Sequence, residues 1–158
     1  MKKMIKKYAV ILALTVSAIL FLPAKLFAQG AVIGYAWVRD NPTDEQLENL
    51  THLIALEVYP NWDGSLTYSL PNWNPNQKND DLESLVSRAH ARGVKVSISV
   101  GGGGRSAYFA SATNSTYRGD FVNNIANFVE LYKLDGVDIN WEYPSDTIQW
   151  NQCVKLFL

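Results

Sequence analysis

The chain has 158 residues, with 14 basic side chains, 15 acidic side chains and one cysteine, Cys153. A single cysteine excludes an internal disulfide, so stability must come from a hydrophobic core. Five of the lysines fall in the first 28 residues, so the rest of the chain has nine basic and 15 acidic side chains, and this acidic balance argues against a nucleic acid partner.

The first 28 residues have the pattern of a secretory signal peptide. Four lysines precede an apolar run, and small residues follow near Ala28. Pro23 and Lys25 interrupt the run, which leaves it shorter than the ~20 residues that a membrane span needs. We therefore expect cleavage near Ala28, export of residues 29–158 to the periplasm or the medium, and no stable membrane anchor afterwards.

Two predicted strands follow the signal-like segment. Residues 31–38 and 52–60 are apolar, strand-like runs. Between them, Thr43 and Gln46 have the spacing of a capping box, which predicts the start of a short helix. Residues 61–79 are rich in Asn, Pro, Trp and Tyr, and they predict a loop with a hairpin near its start.

Two helices and two further strands complete the pattern. Residues 80–93 and 121–134 carry apolar side chains at helical spacing, and Gly93 marks the end of the first of these helices. Residues 94–102 and 136–142 predict the third and fourth strands. Because strands and helices alternate along the chain, the predicted fold class is α/β, built from parallel βα units.

The predicted fourth strand carries more charge than a buried strand normally holds. Side chains alternate along a strand, so Asp138, Asn140 and Glu142 share one face while apolar residues occupy the other. Ionising several neighbouring carboxyl groups in a buried interior is unfavourable, so the pKa of the last one to ionise is raised. A carboxyl group with a raised pKa can act as a general acid. Glu142 is the candidate acid, because sites in parallel α/β folds form at the carboxyl ends of strands. A structural ion network is the alternative interpretation.

The segment Asp135–Pro144, DGVDINWEYP, resembles the DxxDxDxE signature of the family 18 glycoside hydrolases, the chitinases and related endo-N-acetylglucosaminidases. Upstream, Ser99, Gly101 and Gly102 match the SxGG element of that family on its third strand. The resemblance runs from about residue 31 to the end. It implies a (β/α)8 TIM barrel, of which residues 29–158 hold about the first four βα units as the truncated N-terminal part.

The resemblance also implies a mechanism. Family members cut β-1,4 bonds next to N-acetylglucosamine with retention, using the acetamido oxygen of the substrate as nucleophile. Glu142 would protonate the leaving oxygen and later activate water, while Asp138 would hold the acid and Asn140 would orient the acetamido group. Asp135 and Ser99 would support them by hydrogen bonding.

The further candidates for substrate binding are Gly101, Gly102, Tyr35 and Tyr143. The implied partner is a carbohydrate polymer containing N-acetylglucosamine, without a cofactor or a metal.

Two departures from the family pattern leave alternatives open. The family has Asp where this chain has Asn140, and an amide offers no negative charge to a developing cation, which predicts slower turnover. A complete barrel takes ~250 residues, so a half barrel would expose strand edges and tend to self-associate. The alternatives to an enzyme are a non-catalytic protein that binds chitin on the same scaffold, and an inactive truncated remnant.

Several weaker signals have two interpretations each. The aromatic residues of the long loop fit either a platform for sugar rings or ordinary packing; they are Tyr59, Trp62, Tyr68 and Trp73. The glycine run GGGGRSA is a weak match to a dinucleotide-binding turn, and we prefer a close approach of the backbone to neighbouring strands or to a sugar. His52 and His90 have no second ligand at metal spacing, so they are predicted to be packing or surface residues.

Overall fold

Five strands form one sheet in the computed structural model of this protein, which describes residues 30–68 and 79–156. The predicted signal peptide and Trp73 lie outside these residues. The strands are β1 (Ile33–Trp37), β2 (His52–Pro60), β3 (Leu66–Tyr68), β4 (Lys95–Gly101) and β5 (Gly136–Asn140).

The sheet has the order β1-β2-β4-β5, and these four strands are all parallel. They correspond to the four strands predicted from the sequence, which confirms the α/β pattern. The short strand β3 pairs with the end of β2 in antiparallel orientation, with Val58 opposite Tyr68. The predicted hairpin is thus confirmed, and it extends the sheet at the carboxyl end of β2.

The helices of the described residues include the two that the apolar periodicity predicts and the short one that the capping box predicts. They are α1 (Asp44–Glu48), α2 (Asp80–His90), α3 (Phe109–Ala112), α4 (Arg118–Tyr132) and α5 (Thr147–Val154), together with a 3-10 turn at Val38–Asp40. The predicted capping box is confirmed, because the Gln46 N–H donates to Thr43 Oγ1 at 3.2 Å and the Thr43 N–H donates to Gln46 Oε1 at 2.8 Å. Within the described ranges, no helix has the length and apolar character to cross a membrane.

Helices cover one face of the sheet, which we call the outer face. Alternate residues of β2 and β4 are buried there, among them Leu53, Ala55, Val96 and Ile98. They pack with the apolar side of α2 in one cluster. A second cluster lies at the carboxyl ends of β4 and β5, where the Phe109 ring stacks on Trp141 with centroids 5.0 Å apart.

The opposite face, which we call the inner face, carries the residues that alternate with the core residues. The register places Tyr35, Ile54, Ser97 and Gly136 level with one another across the four parallel strands. Side chains of paired parallel residues point to the same side, so Asp138 of β5 shares this face with Ser97 and Ser99 of β4. Among the described residues, β1 and β5 form the two edges of the parallel sheet.

Candidate active site

Ser99 and Asp138 form the centre of the candidate site on the inner face. The two residues are register partners on β4 and β5. The Ser99 side chain is fully buried, and its hydroxyl donates a hydrogen bond of 2.8 Å to Asp138 Oδ2. A hydrogen bond to an ionised group is roughly twice as strong as a neutral one, so this contact fixes the orientation of the Asp138 carboxylate.

A glycine turn joins the carboxyl end of β4 to the site. Gly101 and Gly102 have φ angles of +97° and +106°, a region that residues with a Cβ rarely adopt. A Cβ on Gly101 would lie 2.5 Å from the carbonyl oxygen of Asn140 and would collide with the Phe109 ring. The Gly102 N–H donates to the same Asn140 carbonyl at 2.7 Å. Only glycine therefore allows the turn to pack against the end of β5.

Glu142 lies two residues beyond the end of β5, next to this turn. Its N–H donates to the hydroxyl of Ser106 at 2.8 Å. One carboxylate oxygen, Oε2, lies 3.6 Å from the position that a Cβ on Gly103 would take. The carboxylate of the candidate acid thus lies close to the glycine turn. The next residue, Tyr143, is joined to Glu142 by a cis peptide bond and is 82% exposed.

A cavity of about 590 Å³ opens beside Asn140 at the carboxyl ends of the strands. Its lining combines aromatic and apolar side chains with a few amide and cationic groups, as is typical of small-molecule sites. The lining residues are Trp37, Leu56, Gly101, Gly102, Gly103, Gly104, Arg105 and Asn140. A second cavity of about 310 Å³ has Glu142 and Tyr143 in its wall, and its lining shares Gly104 with that of the first.

Three residues at this site were missed in the sequence. Trp37 ends β1, and the Arg39 guanidinium lies 4.3 Å from the centroid of its ring. Arg105 follows the glycine run and lies 4.9 Å from the ring centroid of Tyr59, a distance typical of cation–π contacts. Ser106 is buried beneath the turn. Each of the three lies at or just after the carboxyl end of β1 or β4. This placement could have identified them in the sequence, because that end of a parallel sheet carries the site.

Asp135 is not brought together with the other candidates. It precedes β5 at the amino end of the strand, where its Oδ2 accepts the Val96 N–H and contacts His90 Nε2, both at 2.8 Å. Partial burial raises the pKa of Asp135, but the hydrogen bonds from Val96 and His90 and the positive charge of Lys95 outweigh burial and hold this pKa below its ordinary value. This carboxylate ties β4 and α2 to the start of β5.

Tyr35 also lies apart from the cavity beside Asn140. It is on the inner face of β1, two residues before the strand ends, and its side chain is 60% exposed. It lines a different cavity of about 430 Å³, next to Pro42 and Leu50. Trp37, at the end of the same strand, lines the cavity beside Asn140 instead.

The aromatic residues of the long loop divide between packing and exposure. Tyr68 is buried against Phe128, and this burial raises the pKa of its hydroxyl. Packing is therefore the correct interpretation for Tyr68. Trp62 is 56% exposed and meets Tyr117 edge to face at 5.7 Å between centroids, so its position is compatible with contact to a ligand.

The histidines have local partners. His52 Nδ1 lies 2.8 Å from Thr51 Oγ1, and His90 pairs with Asp135. In the part of the chain that the structure describes, no group of three or more His, Cys, Asp or Glu side chains is placed to hold a metal ion.

Comparison with known proteins decides the family. The model of the family described as glycosyl hydrolases family 18 matches residues 31–155, nearly all of the chain outside the signal-like segment. The chain belongs to glycosyl hydrolase family 18. Among curated family relatives, a chitinase-like effector of Moniliophthora roreri is 38% identical over 96 residues, which are 60% of this chain and 22% of the relative.

Two solved family 18 structures agree with the fold. A chitinase of Rhizomucor miehei has a TM-score of 0.68 at 30% identity, over 79% of this chain and 41% of that one. A chitinase of Cycas revoluta, solved in complex with (GlcNAc)3, has a TM-score of 0.67 at 23% identity, over 80% of this chain and 38% of that one. The family 18 fold is a TIM barrel, of which the described sheet and helices form half. The chain thus spans well under half the length of these relatives.

Proposed function

We propose that the chain carries the N-terminal half of the catalytic barrel of a chitinase-like glycosidase. The observation that carries this proposal is the arrangement at the end of β5. There the Ser99 hydroxyl holds Asp138, and Glu142 lies close to the glycine turn that lines an open cavity together with Trp37 and Asn140. Membership of family 18 supports the same chemistry.

In the proposed reaction the substrate is a β-1,4-linked polymer that contains N-acetylglucosamine, the ligand class that chitinases of the family bind. Glu142 donates its proton to the oxygen of the leaving sugar while the acetamido oxygen of the substrate attacks the anomeric carbon. The resulting Glu142 carboxylate then takes a proton from water, which opens the ring intermediate with net retention. Asp138 and Asn140 hold the acid and the acetamido group in this scheme.

The test compares the secreted protein from its own host with its Glu142→Gln variant on soluble chitin oligomers. We expect Glu142→Gln to lower sugar release by about 10²- to 10⁴-fold, because the amide cannot donate the proton. Glu130→Gln is the matched control, since Glu130 is exposed on α4, away from the site. Equal rates for the wild type and Glu142→Gln would contradict the proposed role.

A second candidate function is binding of N-acetylglucosamine polymers without turnover. Asn140 favours it, since an amide cannot stabilise a developing positive charge as a carboxylate does. The name of the Moniliophthora roreri relative, a chitinase-like effector, also fits a role other than digestion. Retention on chitin beads without release of soluble sugar would favour this candidate over the enzyme.

We also propose that the protein is exported. The support comes from the sequence alone, because the lysines, the apolar run and the small residues near Ala28 lie outside the described residues. Fractionation of the host with N-terminal sequencing of the mature protein tests the proposal. A mature N-terminus near residue 29 outside the cytoplasm is expected, and an intact Met1 in the cytoplasm would contradict it.

A further inference from the structure

Ser106 is a buried hydroxyl that joins the two signature segments of the site. The residue is 9% exposed. The Oγ atom accepts the N–H of Glu142 at 2.8 Å, and it lies 3.2 Å from the Gly102 carbonyl and 3.4 Å from the Asn140 carbonyl. The single hydroxyl hydrogen of Ser106 is shared between these two carbonyl oxygens. Ser106 therefore contacts the backbone of the glycine turn, of the end of β5 and of the candidate acid.

The hydrogen bond between the Glu142 N–H and Ser106 Oγ holds the backbone of the candidate acid. Removing the hydroxyl would leave the Glu142 N–H without its acceptor in a part-buried position, which is unfavourable unless the backbone moves. A shift of about 1 Å in a catalytic group can lower a rate by about 10²-fold. We propose that Ser106 is a positioning residue that fixes the backbone of Glu142 against the glycine turn, an inference that rests on the catalytic role proposed for Glu142.

The chain offers a matched control for the loss of a buried hydroxyl. Thr113 is fully buried, and its hydroxyl donates to the Phe109 carbonyl at 2.7 Å and lies 3.3 Å from Gln152 Oε1. None of these partners belongs to the glycine turn or to the acidic segment. Thr113→Val replaces the hydroxyl with a methyl group of similar size, so it reports the effect of losing a buried hydroxyl that does not bond to Glu142.

The first measurement is the hydrogen exchange rate of the Glu142 amide, followed by NMR at neutral pH. We expect Ser106→Ala to raise this rate at least about tenfold, whereas Thr113→Val leaves it within about twofold of the wild type. Ser106→Thr keeps the hydroxyl, and its added methyl group can enter the adjoining cavity of about 310 Å³, so it should preserve the protection. Equal protection in the wild type and Ser106→Ala would overturn the proposal.

The second measurement separates kcat from KM on chitin oligomers. A residue that acts through the acid should affect kcat, so Ser106→Ala should lower kcat about 10- to 100-fold while KM stays within about twofold. Ser106→Thr should restore most of the rate. An equal loss of kcat in Thr113→Val would mean a general effect on stability and would overturn the proposal. If the wild type releases no sugar, the enzymatic function fails, while the exchange measurement still decides the role of Ser106.

Discussion

At the scale of single residues, Asn140 is where this chain departs from its family. Its carbonyl accepts the Gly102 N–H, and the residue lines the cavity of about 590 Å³. The backbone role of the residue does not depend on the side chain, so an aspartate can occupy the position without rebuilding the turn. The choice between amide and carboxylate then affects only the interaction with the substrate. A carboxylate stabilises positive charge that develops there, and an amide does not.

We therefore predict that Asn140→Asp raises the rate of sugar release, by roughly tenfold to a hundredfold, with little change in the free energy of unfolding. The measurement is kcat on chitin oligomers beside a thermal unfolding curve. Asn127→Asp is the control for added charge, because Asn127 is exposed on α4. A rate unchanged by Asn140→Asp would show that the charge of Asp138 already suffices.

At the scale of elements, periodicity predicted more of the fold than of the site. The four parallel strands and the helices α2 and α4 follow from apolar spacing, although α2 ends at His90, three residues before the predicted stop at Gly93. The turn that carries Ser106 could not be predicted, because its hydrogen bonds join segments 36 residues apart in sequence. The position of Trp37 beside the cavity likewise depends on the twist and register of the sheet.

Asp135 illustrates the same limit, since its place in the signature predicted support of the site but its contacts lie at the amino end of β5. The pKa of Asp135 is lower in the folded state than its unfolded-state value near 3.8, so the ionised carboxylate stabilises the fold at any pH above 3.8. This stabilisation is lost as the pH falls through the folded-state pKa. Asp135→Asn should therefore lower the free energy of unfolding by about 1 kcal/mol at pH 6, a modest figure because the pair is partly exposed.

The same difference should shrink as the pH falls through the folded-state pKa of Asp135, because the protonated carboxyl group is then neutral like the amide of the variant. Urea unfolding at a series of pH values measures it, with Asp40→Asn, an exposed residue, as the control. Sugar release at neutral pH should stay within about twofold of the wild type, because Asp135 lies at the opposite end of the strand from Glu142. A large loss of kcat without loss of stability would instead give Asp135 a role in the site.

At the scale of the whole molecule, both edges of the described parallel sheet expose apolar side chains. Ile33 and Tyr35 on β1 are 54% and 60% exposed, and Val137 on β5 is 37% exposed. An apolar groove of about 250 Å³ lies beside β5, between α4 and Leu156, which follows α5. In a complete barrel of the family, further βα units cover such edges.

We predict that residues 29–158, expressed alone, self-associate through these edges, because open strand edges and apolar surface favour pairing between copies. Sedimentation velocity should show an average mass that rises with protein concentration.

Placing a lysine on each edge, with Ile33→Lys and Val137→Lys, should lower the association constant at least about tenfold, because pairing would bury the added charges. Leu131→Lys is the control, since Leu131 is an exposed apolar residue on α4, away from the sheet. A monomer at every concentration would contradict the prediction and would mean that the edges are protected within a single chain.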